Sequence, residues 1–395
     1  MCQILHRTWA QVHLDRLADN VRLIRGRLTP GCRMLGIVKA DAYGHGAAPV
    51  ARALRDAGVG FFGVSNLEEA IQLRQSGITE PILVISYTPP AEAARLAAFS
   101  VTQTVLSLSH AQQLSRAAEA AGVQIRVHYK IDTGMSRVGF VCHAADEVVP
   151  AARQLCAAAR LPGLIPEGIF THFASADEED DGGFTERQFS LFTAVIDAAA
   201  AAGVTFSLRH CCNSAATLRF PHMHLDMVRP GIILYGLMPD GWMAAHFPGL
   251  RPVMELKTAV SMVKELPAGT PVSYNRTYTT DAPCRIATVP IGYADGYVRA
   301  LSGRAFMLIG GQRVPVIGRI CMDQCMLDVT DVPQADEGTV ATVFGEDGGA
   351  MISADELAGL IGTIGYEIVC LLSKRVPRLY YEGDRLVDHV NYLVQ

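Results

Sequence analysis

Short apolar segments alternate with helix-length amphipathic segments over roughly the first 240 residues, and this alternation limits the possible folds most strongly. Buried strands are predicted at residues 34–38, 61–64, 82–85, 125–129, 168–171 and 206–208. Helices are predicted between them at 47–57, 67–75, 91–98, 109–121, 144–159 and 186–202. Repeated strand–helix units favour a parallel sheet, because each helix returns the chain to the end where the next strand begins. About seven or eight such units fit a closed (β/α)8 barrel better than a doubly wound sheet, although both give similar patterns.

The pattern changes after about residue 245. Strands are predicted at 253–264, 271–279, 286–290, 305–309, 313–317, 326–329 and 339–344. Most of these segments are too close together for a helix to fit between them, which favours antiparallel pairing. Ser353 precedes Glu356 by three positions, a capping-box pattern that predicts the start of one helix. The expected architecture is an α/β chain: a (β/α)8 TIM-like barrel over 1–245, then a mainly antiparallel β domain over 246–395.

Composition excludes several broad classes of protein. Of the 395 residues, 50% are hydrophobic and 18% are charged, so the chain can bury a large core and disorder is not expected. The net charge of −5 argues against a nucleic-acid partner. No run reaches the ~18–20 apolar residues that a membrane span needs, and the N-terminus lacks a signal-peptide pattern. The 10 cysteines lack the spacing of a disulfide framework, so a reduced, cytoplasmic protein is expected.

The most informative segment is IVKADAYGHG, residues 37–46. A predicted strand runs directly into Lys39 and then into a glycine-containing turn. In a barrel this lysine would lie at the carboxyl end of a strand, where barrel active sites are built. A dry environment disfavours a charged amine, and a neutral amine is what Schiff-base chemistry needs. From the pattern alone, a lysine that forms a salt bridge or binds phosphate is an equal alternative.

Other segments place polar residues at the ends of predicted strands. The segment YKIDTGMSRVG brings Lys130 and Arg137 to the expected barrel face, and FTHF brings His172 to it. Ser214, before a predicted helix start, and the backbone at 231–232 have the small side chains and N–H groups of a phosphate site. We therefore expect a lysine, an arginine and phosphate-binding groups together, without the acidic cluster that a metal site needs.

Together these segments resemble the alanine racemases, a family of pyridoxal-phosphate enzymes. The sequence around Lys39 is similar to the family's cofactor-lysine signature. The similarity continues in order through 130–139, His172, 213–214, 229–231, 272–274, 291–296, 318–323 and 365–367. Matches in order along nearly the whole chain are more specific than any single motif. The resemblance implies a homodimeric enzyme that interconverts L-alanine and D-alanine and supplies D-alanine for peptidoglycan.

The resemblance also implies roles toward pyridoxal 5'-phosphate. Lys39 would hold the cofactor as a Schiff base and act as one of two acid–base groups. Arg229 would face the pyridine nitrogen, with His172 beside it. The other cofactor-binding residues, most of them around the phosphate, would be Tyr43, Asn213, Ser214, Gly231, Ile232 and Tyr366.

A second set of matching residues would serve the substrate. Arg137 would contact a ring oxygen of the cofactor and the substrate carboxylate, positioned by Lys130, which is often carbamylated in this family. Tyr274 would be the second acid–base group and would reach in from the other subunit of the homodimer. The remaining substrate-side residues would be Met322 from that same subunit, Cys321, Asp323, and Tyr293 at the entrance.

The chemistry of racemisation agrees with these roles. Inverting an α-carbon requires that a proton leave one face and that another arrive on the opposite face. Lys39 and Tyr274 meet this requirement if they flank the substrate. An arginine opposite the ring nitrogen stays charged and keeps that nitrogen unprotonated. The weaker electron sink should suppress side reactions such as transamination.

The chain departs from the family at Asn275, where many members have glycine after the tyrosine. A changed backbone there would alter the substrate entrance, so a racemase of broader specificity that accepts serine is one alternative. Tyr366 keeps the bulky aromatic ring that would crowd larger substrates. The same residues also leave open a barrel-type amino-acid decarboxylase and a non-catalytic pyridoxal-phosphate-binding protein, although the latter usually lacks a second domain.

No metal site is expected from the sequence. Cys321 and Cys325 are four residues apart, but no second pair completes a zinc site. His222 and His224 lie in a predicted loop, and we interpret their spacing as incidental.

Overall fold

The structure, a computed structural model, describes residues 7–394 and divides into two compact units. The described parts of these units are Leu17–Ala42 with Ala47–Arg251, and 7–16 with Tyr43–Gly46 and 252–394. The expectation about an export signal concerns residues 1–6, which lie outside the described residues. The expected division was 1–245 and 246–395. The observed boundary lies between Arg251 and Pro252, and Tyr43–Gly46 and the N-terminal segment belong to the smaller unit, the latter because Thr8–His13 pairs with Met254–Ala259 rather than with a barrel strand.

Within the larger unit, eight parallel strands follow one another in chain order around a nearly closed barrel. Their bounds are Arg33–Ile37, Phe61–Val64, Ile82–Val84, Val101–Val105, Ile125–Asp132, Leu164–Phe170, Leu208–His210 and Met227–Val228. The eighth strand pairs with the first, and backbone bonds from Asp226 N to Arg209 O and from Arg229 N to Cys212 O link it to the seventh. The short strand Phe140–Val141 adds to the side of the fifth. The expected (β/α)8 barrel is confirmed.

Helices connect the barrel strands. Their bounds are Leu14–Arg25, Ala47–Asp56, Leu67–Gln75, Ala93–Ala98, Leu108–Ala121, Val148–Ala159, Phe184–Ala201, Ser214–Arg219 and Gly241–His246. Side-chain caps begin several of them; the Asn66 carboxamide, for example, accepts from Glu69 N at 2.9 Å. The sequence pattern does not predict the strand Val101–Val105, because its sequence VTQTV is polar in the middle and yet buried. Gln103 donates its side-chain N–H there to Ser86 O at 2.8 Å.

The smaller unit contains a mainly antiparallel sheet, as expected. Its strands are Thr8–His13, Met254–Ala259, Met262–Leu266, Cys284–Val289, Phe306–Ile309, Gln312–Ile317, Cys325–Asp328, Val340–Asp347, Ala350–Ile352, Arg378–Glu382 and Arg385–Val390. Thr8–His13 pairs in parallel with Arg378–Glu382 and antiparallel with Met254–Ala259. The first strand of the chain is therefore an interior strand of this sheet.

Two short helices complete the smaller unit, Ala354–Ile361 and Gly365–Cys370. The Ser353 hydroxyl accepts from Glu356 N at 2.9 Å, which confirms the helix start predicted there. The second helix is too short to give a periodic sequence pattern and is not predicted. Among residues 7–394, no helix has the length and hydropathy needed to cross a membrane.

Candidate active site

Lys39 follows the first barrel strand directly and is held by a strained turn. Ala40, Asp41 and Ala42 all have φ between 51° and 55°, the left-handed region that alanine and other L-residues avoid. Each such residue costs about 1–2 kcal/mol, so the turn needs compensating contacts. Ala40 N donates to Glu69 Oε1 at 2.8 Å, and Ala42 N donates to Val38 O at 3.0 Å. The backbone beside Lys39 is thereby fixed at the carboxyl end of its strand.

Lys130 lies inside the barrel near the end of the fifth strand, with only 4% of its surface exposed. Its Nζ is 5.2 Å from the centre of the Phe170 ring. Burial, with the nearby Arg229 and Arg137 guanidinium groups, lowers the pKa of Lys130 well below its ordinary value, against the opposing effect of Asp132. A neutral amine at this position is consistent with its surroundings.

Arg137 is carried by a tight loop that folds back on the same strand. The Asp132 carboxylate accepts from Gly134 N at 3.1 Å and from Ser136 N at 3.0 Å. Although burial acts in the opposite direction, these bonds hold the pKa of Asp132 below its usual value. Gly139 has φ 130°, and a Cβ there would lie 2.7 Å from Asp132 N, so only glycine fits. The loop leaves Arg137 exposed at the barrel end.

Arg229 is buried and hydrogen-bonded through both of its terminal nitrogens. Its Nη2 donates to Thr171 O at 2.8 Å and Cys211 O at 2.9 Å, and it lies 3.2 Å from His172 Nδ1. Burial lowers the pKa of Arg229 to about 10, which leaves it charged at neutral pH. Burial and the Arg229 charge lower the pKa of His172 well below its ordinary value. Since a guanidinium only donates, we infer that His172 is neutral, accepts at Nδ1 and carries its proton on Nε2.

A small polar cradle lies next to these residues. Asn213 caps the helix Ser214–Arg219 by accepting from Ala216 N at 3.0 Å. The Ser214 hydroxyl accepts from Gly231 N at 2.9 Å, which joins the helix start to the segment after the eighth strand. A 3-10 helix begins at Ile232, so two helix starts converge here. Converging N–H groups and a hydroxyl suit a phosphate.

The charges in the barrel fit an anionic cofactor. Besides Arg229, the basic side chains Lys130, Arg137 and Lys39 lie close enough to His172 to act on it. The acidic side chain that acts on Lys130, Asp132, is already occupied by backbone N–H groups. An amine, excess positive charge and a phosphate cradle are what pyridoxal phosphate requires. Among residues 7–394, no group of three or more metal-ligating side chains is arranged around a common point.

The smaller unit exposes Tyr274 on a strained loop, with 66% of its surface accessible. Ser273 and Arg276 have φ of 66° and 51°, and Asn275 has φ 62°. This is the region that glycine adopts freely and that asparagine tolerates better than most residues. Asn275 therefore adopts a backbone conformation that is also open to a glycine. The Ser273 hydroxyl donates to Arg319 O at 2.7 Å and ties the loop to the next segment.

Met322 and Tyr293 lie beside each other on two interlocked loops. Tyr293 N donates to Cys321 O at 3.1 Å, and Ala294 N donates to Met322 O at 3.0 Å. A Cβ on Gly292 would lie 2.3 Å from Cys321 O, so this approach requires glycine. Met322 is 52% exposed, so it is accessible as Tyr274 is. Met322 and Tyr274 both line a pocket of about 610 Å³ that also includes Cys321 and Asp323.

An ionic cluster that sequence reasoning missed supports these loops. Asp295 is completely buried, and Arg7 Nη1 and Arg375 Nε lie 3.3 and 3.6 Å from its carboxylate. Asp295 Oδ2 also accepts from Gly292 N at 3.0 Å. Arg375 continues to Asp323 at 2.8 Å. These partners are far apart in sequence, so no local signal identifies the cluster.

Tyr43 and Tyr366 meet in the smaller unit. Their ring centres are 6.1 Å apart in an edge-on arrangement. Tyr43 is buried, and burial raises the pKa of its hydroxyl above the ordinary value. Tyr366 lies in the first turn of its helix and follows Gly365, where a Cβ would meet the Asp355 carboxylate unless that side chain moved.

The predicted residues are divided between the two units. The barrel group contains Lys39, Lys130, Arg137, His172, Asn213, Ser214, Arg229, Gly231 and Ile232, and the smaller unit contains Tyr43, Cys321, Met322, Asp323, Tyr274, Tyr293 and Tyr366. Sequence reasoning missed His128, His210 and Glu167, which form a hydrogen-bonded series that begins at Arg229. The spacing of His128 two residues before Lys130 on one strand was an available signal, because such side chains share a face.

Buried neutral histidines should make the protein sensitive to acid. Burial lowers the pKa of each of His110, His128, His172, His210 and His224. Below about pH 6.5 the unfolded chain binds protons that the folded chain excludes, so each such histidine removes up to about 1.4 kcal/mol of stability per pH unit. We expect the urea midpoint to fall as pH drops from 7.5 to 5.5 at constant protein concentration. A urea midpoint that stays constant or rises as the pH drops from 7.5 to 5.5 would contradict the inference that these histidines are neutral in the folded protein.

Comparisons with known proteins agree with this geometry. Residues 12–239 match the family described as alanine racemase, N-terminal domain, and 253–380 match alanine racemase, C-terminal domain. An alanine racemase of Desulfovibrio desulfuricans is 48% identical over 95% of this chain and 98% of its own. That of Desulfosudis oleivorans is 46% identical over 95% and 97%.

Solved structures show the same similarity. The alanine racemase of Clostridium difficile 630 has a TM-score of 0.92 and 38% identity, covering 100% of both chains. That of Bacillus anthracis, solved with bound L-Ala-P, has a TM-score of 0.92 and 36% identity, covering 99% of both. Both domains and nearly the whole length are matched, so the chain belongs to the alanine racemase family.

Proposed function

We propose that this protein is a pyridoxal-phosphate-dependent racemase that interconverts L-alanine and D-alanine. The observation that carries the proposal is the barrel group, in which Lys39 stands at a strand end with buried Arg229, neutral His172 and the cradle of Ser214 and Gly231. The relatives matched over nearly their full length are named alanine racemases.

The residues of the barrel group divide the binding of pyridoxal phosphate among them. Lys39 would hold the cofactor covalently, and Arg229 would face its ring nitrogen. Ser214 and the backbone of Gly231 and Ile232 would hold its phosphate, with Asn213 of the barrel group and Tyr43 and Tyr366 of the smaller unit as further cofactor-binding residues. When bound, the cofactor acidifies the α-proton of an amino acid by delocalising the electrons that the proton leaves behind.

Two bases on opposite faces of the substrate carry out the inversion. Lys39 Nζ exchanges a proton on one face, and the Tyr274 hydroxyl exchanges a proton on the other. The high exposure of Tyr274 and Met322 supports a homodimer in which these residues complete the site of the partner subunit. Because Arg229 remains charged, it would keep the cofactor's ring nitrogen unprotonated, which would limit transamination.

Arg137 would bind the substrate carboxylate and a ring oxygen of the cofactor, and Lys130 would position it. Because burial favours a neutral amine at Lys130, carbon dioxide can add to Nζ to form a carbamate, releasing a proton. An anion there would pair with Arg137. Enzyme equilibrated with ¹³C-labelled carbon dioxide should show a carbamate carbon resonance that Lys130→Ala lacks. Identical spectra for the two proteins would exclude the carbamate.

Substrate size is restricted by residues of the smaller unit. Tyr366 crowds the substrate side chain, and Tyr293 lines the entrance with Cys321, Met322 and Asp323. Because Asn275 keeps a glycine-like backbone, we propose that alanine is preferred over serine. The enzyme's rate with a panel of L-amino acids, followed by circular dichroism, tests both the reaction and the preference.

The same assay distinguishes a racemase from a decarboxylase and from a binding protein. Loss of optical activity without carbon dioxide release supports a racemase, and carbon dioxide release would instead identify a decarboxylase. Retention of cofactor without turnover of any amino acid would indicate a binding protein. Serine turned over as fast as alanine would establish the broader specificity.

We also propose a cytoplasmic role in supplying D-alanine for peptidoglycan. None of the cysteines among residues 7–394 forms a disulfide, which suits a reducing compartment. Expression of the protein without an export signal should allow a bacterium that requires D-alanine to grow on L-alanine alone. Growth that still depends on added D-alanine would count against this role.

A further inference from the structure

A chain of buried polar side chains leads away from Arg229 through the barrel core. Arg229 Nη1 lies 2.9 Å from His210 Nδ1, and His210 Nε2 lies 2.9 Å from His128 Nδ1. His128 Nε2 then lies 3.3 Å from Glu167 Oε2. Both imidazoles are completely buried, and each of their four ring nitrogens has a partner.

The proton positions along this chain follow from its two ends. A guanidinium only donates, so His210 accepts at Nδ1 and carries its proton on Nε2. That proton is donated to His128 Nδ1, which leaves the His128 proton on Nε2, directed at the Glu167 carboxylate. Burial lowers the pKa of both His128 and His210, in agreement with two neutral rings. The hydrogen bonds therefore all run in one direction, from Arg229 to Glu167.

The surrounding residues are shaped to hold the two rings. A Cβ on Gly168 would lie 2.6 Å from the His128 ring, so glycine makes room for it. His210 stacks on Phe170 with an interplanar angle of 4° and ring centres 4.8 Å apart. Neither imidazole can turn without losing its partners.

Glu167 supplies the negative charge of this chain. Among the ion pairs of residues 7–394, none joins Arg229 to a carboxylate, since its partners are carbonyl oxygens and imidazoles. Glu167 accepts from Thr102 Oγ1 at 3.2 Å and faces Arg126 at 3.5 Å. It lines a cavity of about 520 Å³ together with Arg33, Ser207 and Asp226, which begin or precede their strands. The chain thus extends from the amino-terminal end of the barrel to Arg229.

We propose that His210, His128 and Glu167 are positioning residues that hold Arg229 as a fixed donor toward the cofactor ring and transmit the Glu167 charge to it. This inference rests on the proposed function, because it assumes that Arg229 faces the pyridine nitrogen. It assigns a role in the reaction to a carboxylate at the opposite end of the barrel from Lys39.

Glu167→Gln tests the inference, because glutamine keeps the shape and the acceptor oxygen but removes the charge. In cofactor-loaded enzyme we expect kcat to fall about 10-fold, as is typical when a supporting hydrogen-bond partner of a site is removed, while KM changes less than about two-fold. Removing the anion makes the site more positive, so the pH midpoint of the cofactor's visible absorbance should fall. Glu119→Gln, the same change on an exposed helix position, is the matched control and should match the wild type.

A second pair of variants tests the hydrogen-bond path. His128→Gln can still accept from His210 and donate to Glu167, whereas His128→Leu can do neither. We expect the glutamine variant to keep most of the wild-type pH midpoint and kcat, and the leucine variant to lose both. If the leucine variant does not fold, Glu167→Gln alone carries the test.

Several outcomes would overturn the inference. If Glu167→Gln has the same kcat and the same pH midpoint as the control Glu119→Gln, a role for the Glu167 charge is excluded. If Glu167→Gln lowers both kcat and thermal stability but leaves the pH midpoint of the cofactor's visible absorbance unchanged, Glu167 has only a structural role. A wild-type protein that binds cofactor but does not racemise alanine would instead refute the proposed function, and the pH midpoints would still report on the path.

Discussion

Replacing Lys39 by alanine is expected to abolish racemisation and the visible absorbance of enzyme-bound pyridoxal phosphate together. The substitution removes both the covalent attachment of the cofactor and one of the two acid–base groups. General acid–base catalysis alone contributes about 10²–10⁴-fold, so the combined loss should leave no measurable rate. Circular dichroism of L-alanine solutions and the visible spectrum of purified enzyme measure the two effects.

The exposed lysine Lys374 provides a control for this experiment. Lys374→Ala removes the same functional group from the protein surface and should keep both the spectrum and the rate. A Lys39→Ala enzyme that racemises alanine with no added amine would refute the central assignment.

Replacing Tyr274 by phenylalanine is expected to reduce racemisation by about 10²–10⁴-fold while cofactor binding is kept. Only the hydroxyl is lost, so the Lys39 face remains functional. In D₂O the variant should exchange the α-proton of one alanine enantiomer without inverting it, because one base still removes and returns a proton on a single face. Proton NMR of each enantiomer measures this exchange. Unchanged turnover in both directions would exclude Tyr274 as the second base.

The same two variants test whether Tyr274 acts in the partner's site. Co-expression of Lys39→Ala and Tyr274→Phe chains produces mixed dimers. If each site combines Lys39 of one subunit with Tyr274 of the other, one site in every mixed dimer is intact and activity returns. If both residues come from one chain, every site carries a substitution and the mixture stays inactive.

The barrel could be predicted because its strands are mostly continuous apolar runs buried on both faces, such as Phe61–Val64. The site residues at the strand ends could be predicted for the same reason, since a charged residue after such a run has few structural explanations. The strand Val101–Val105 and the buried His128 and His210 could not, because their polar side chains find hydrogen-bond partners that are distant in sequence.

The strained backbone at residues 40–42 could not be predicted from the sequence either. Nothing in the residues 40–42 indicates left-handed conformations, because alanine and aspartate favour right-handed ones. The turn exists because Glu69 and Val38 bind its N–H groups, and those contacts form only in the folded barrel. At Asn275 the opposite holds: asparagine signals a tolerated left-handed residue, and the structure has one there.

The position of Thr8–His13 inside its sheet has a consequence for the synthesis of the protein. This strand is synthesised well before its neighbours Met254–Ala259 and Arg378–Glu382. At about 5–20 residues per second, the strand waits on the order of 10 to 50 s before Met254–Ala259 has been made and can pair with it. During translation its apolar residues, among them Trp9 and Val12, have no sheet to join, and they are natural binding sites for a chaperone.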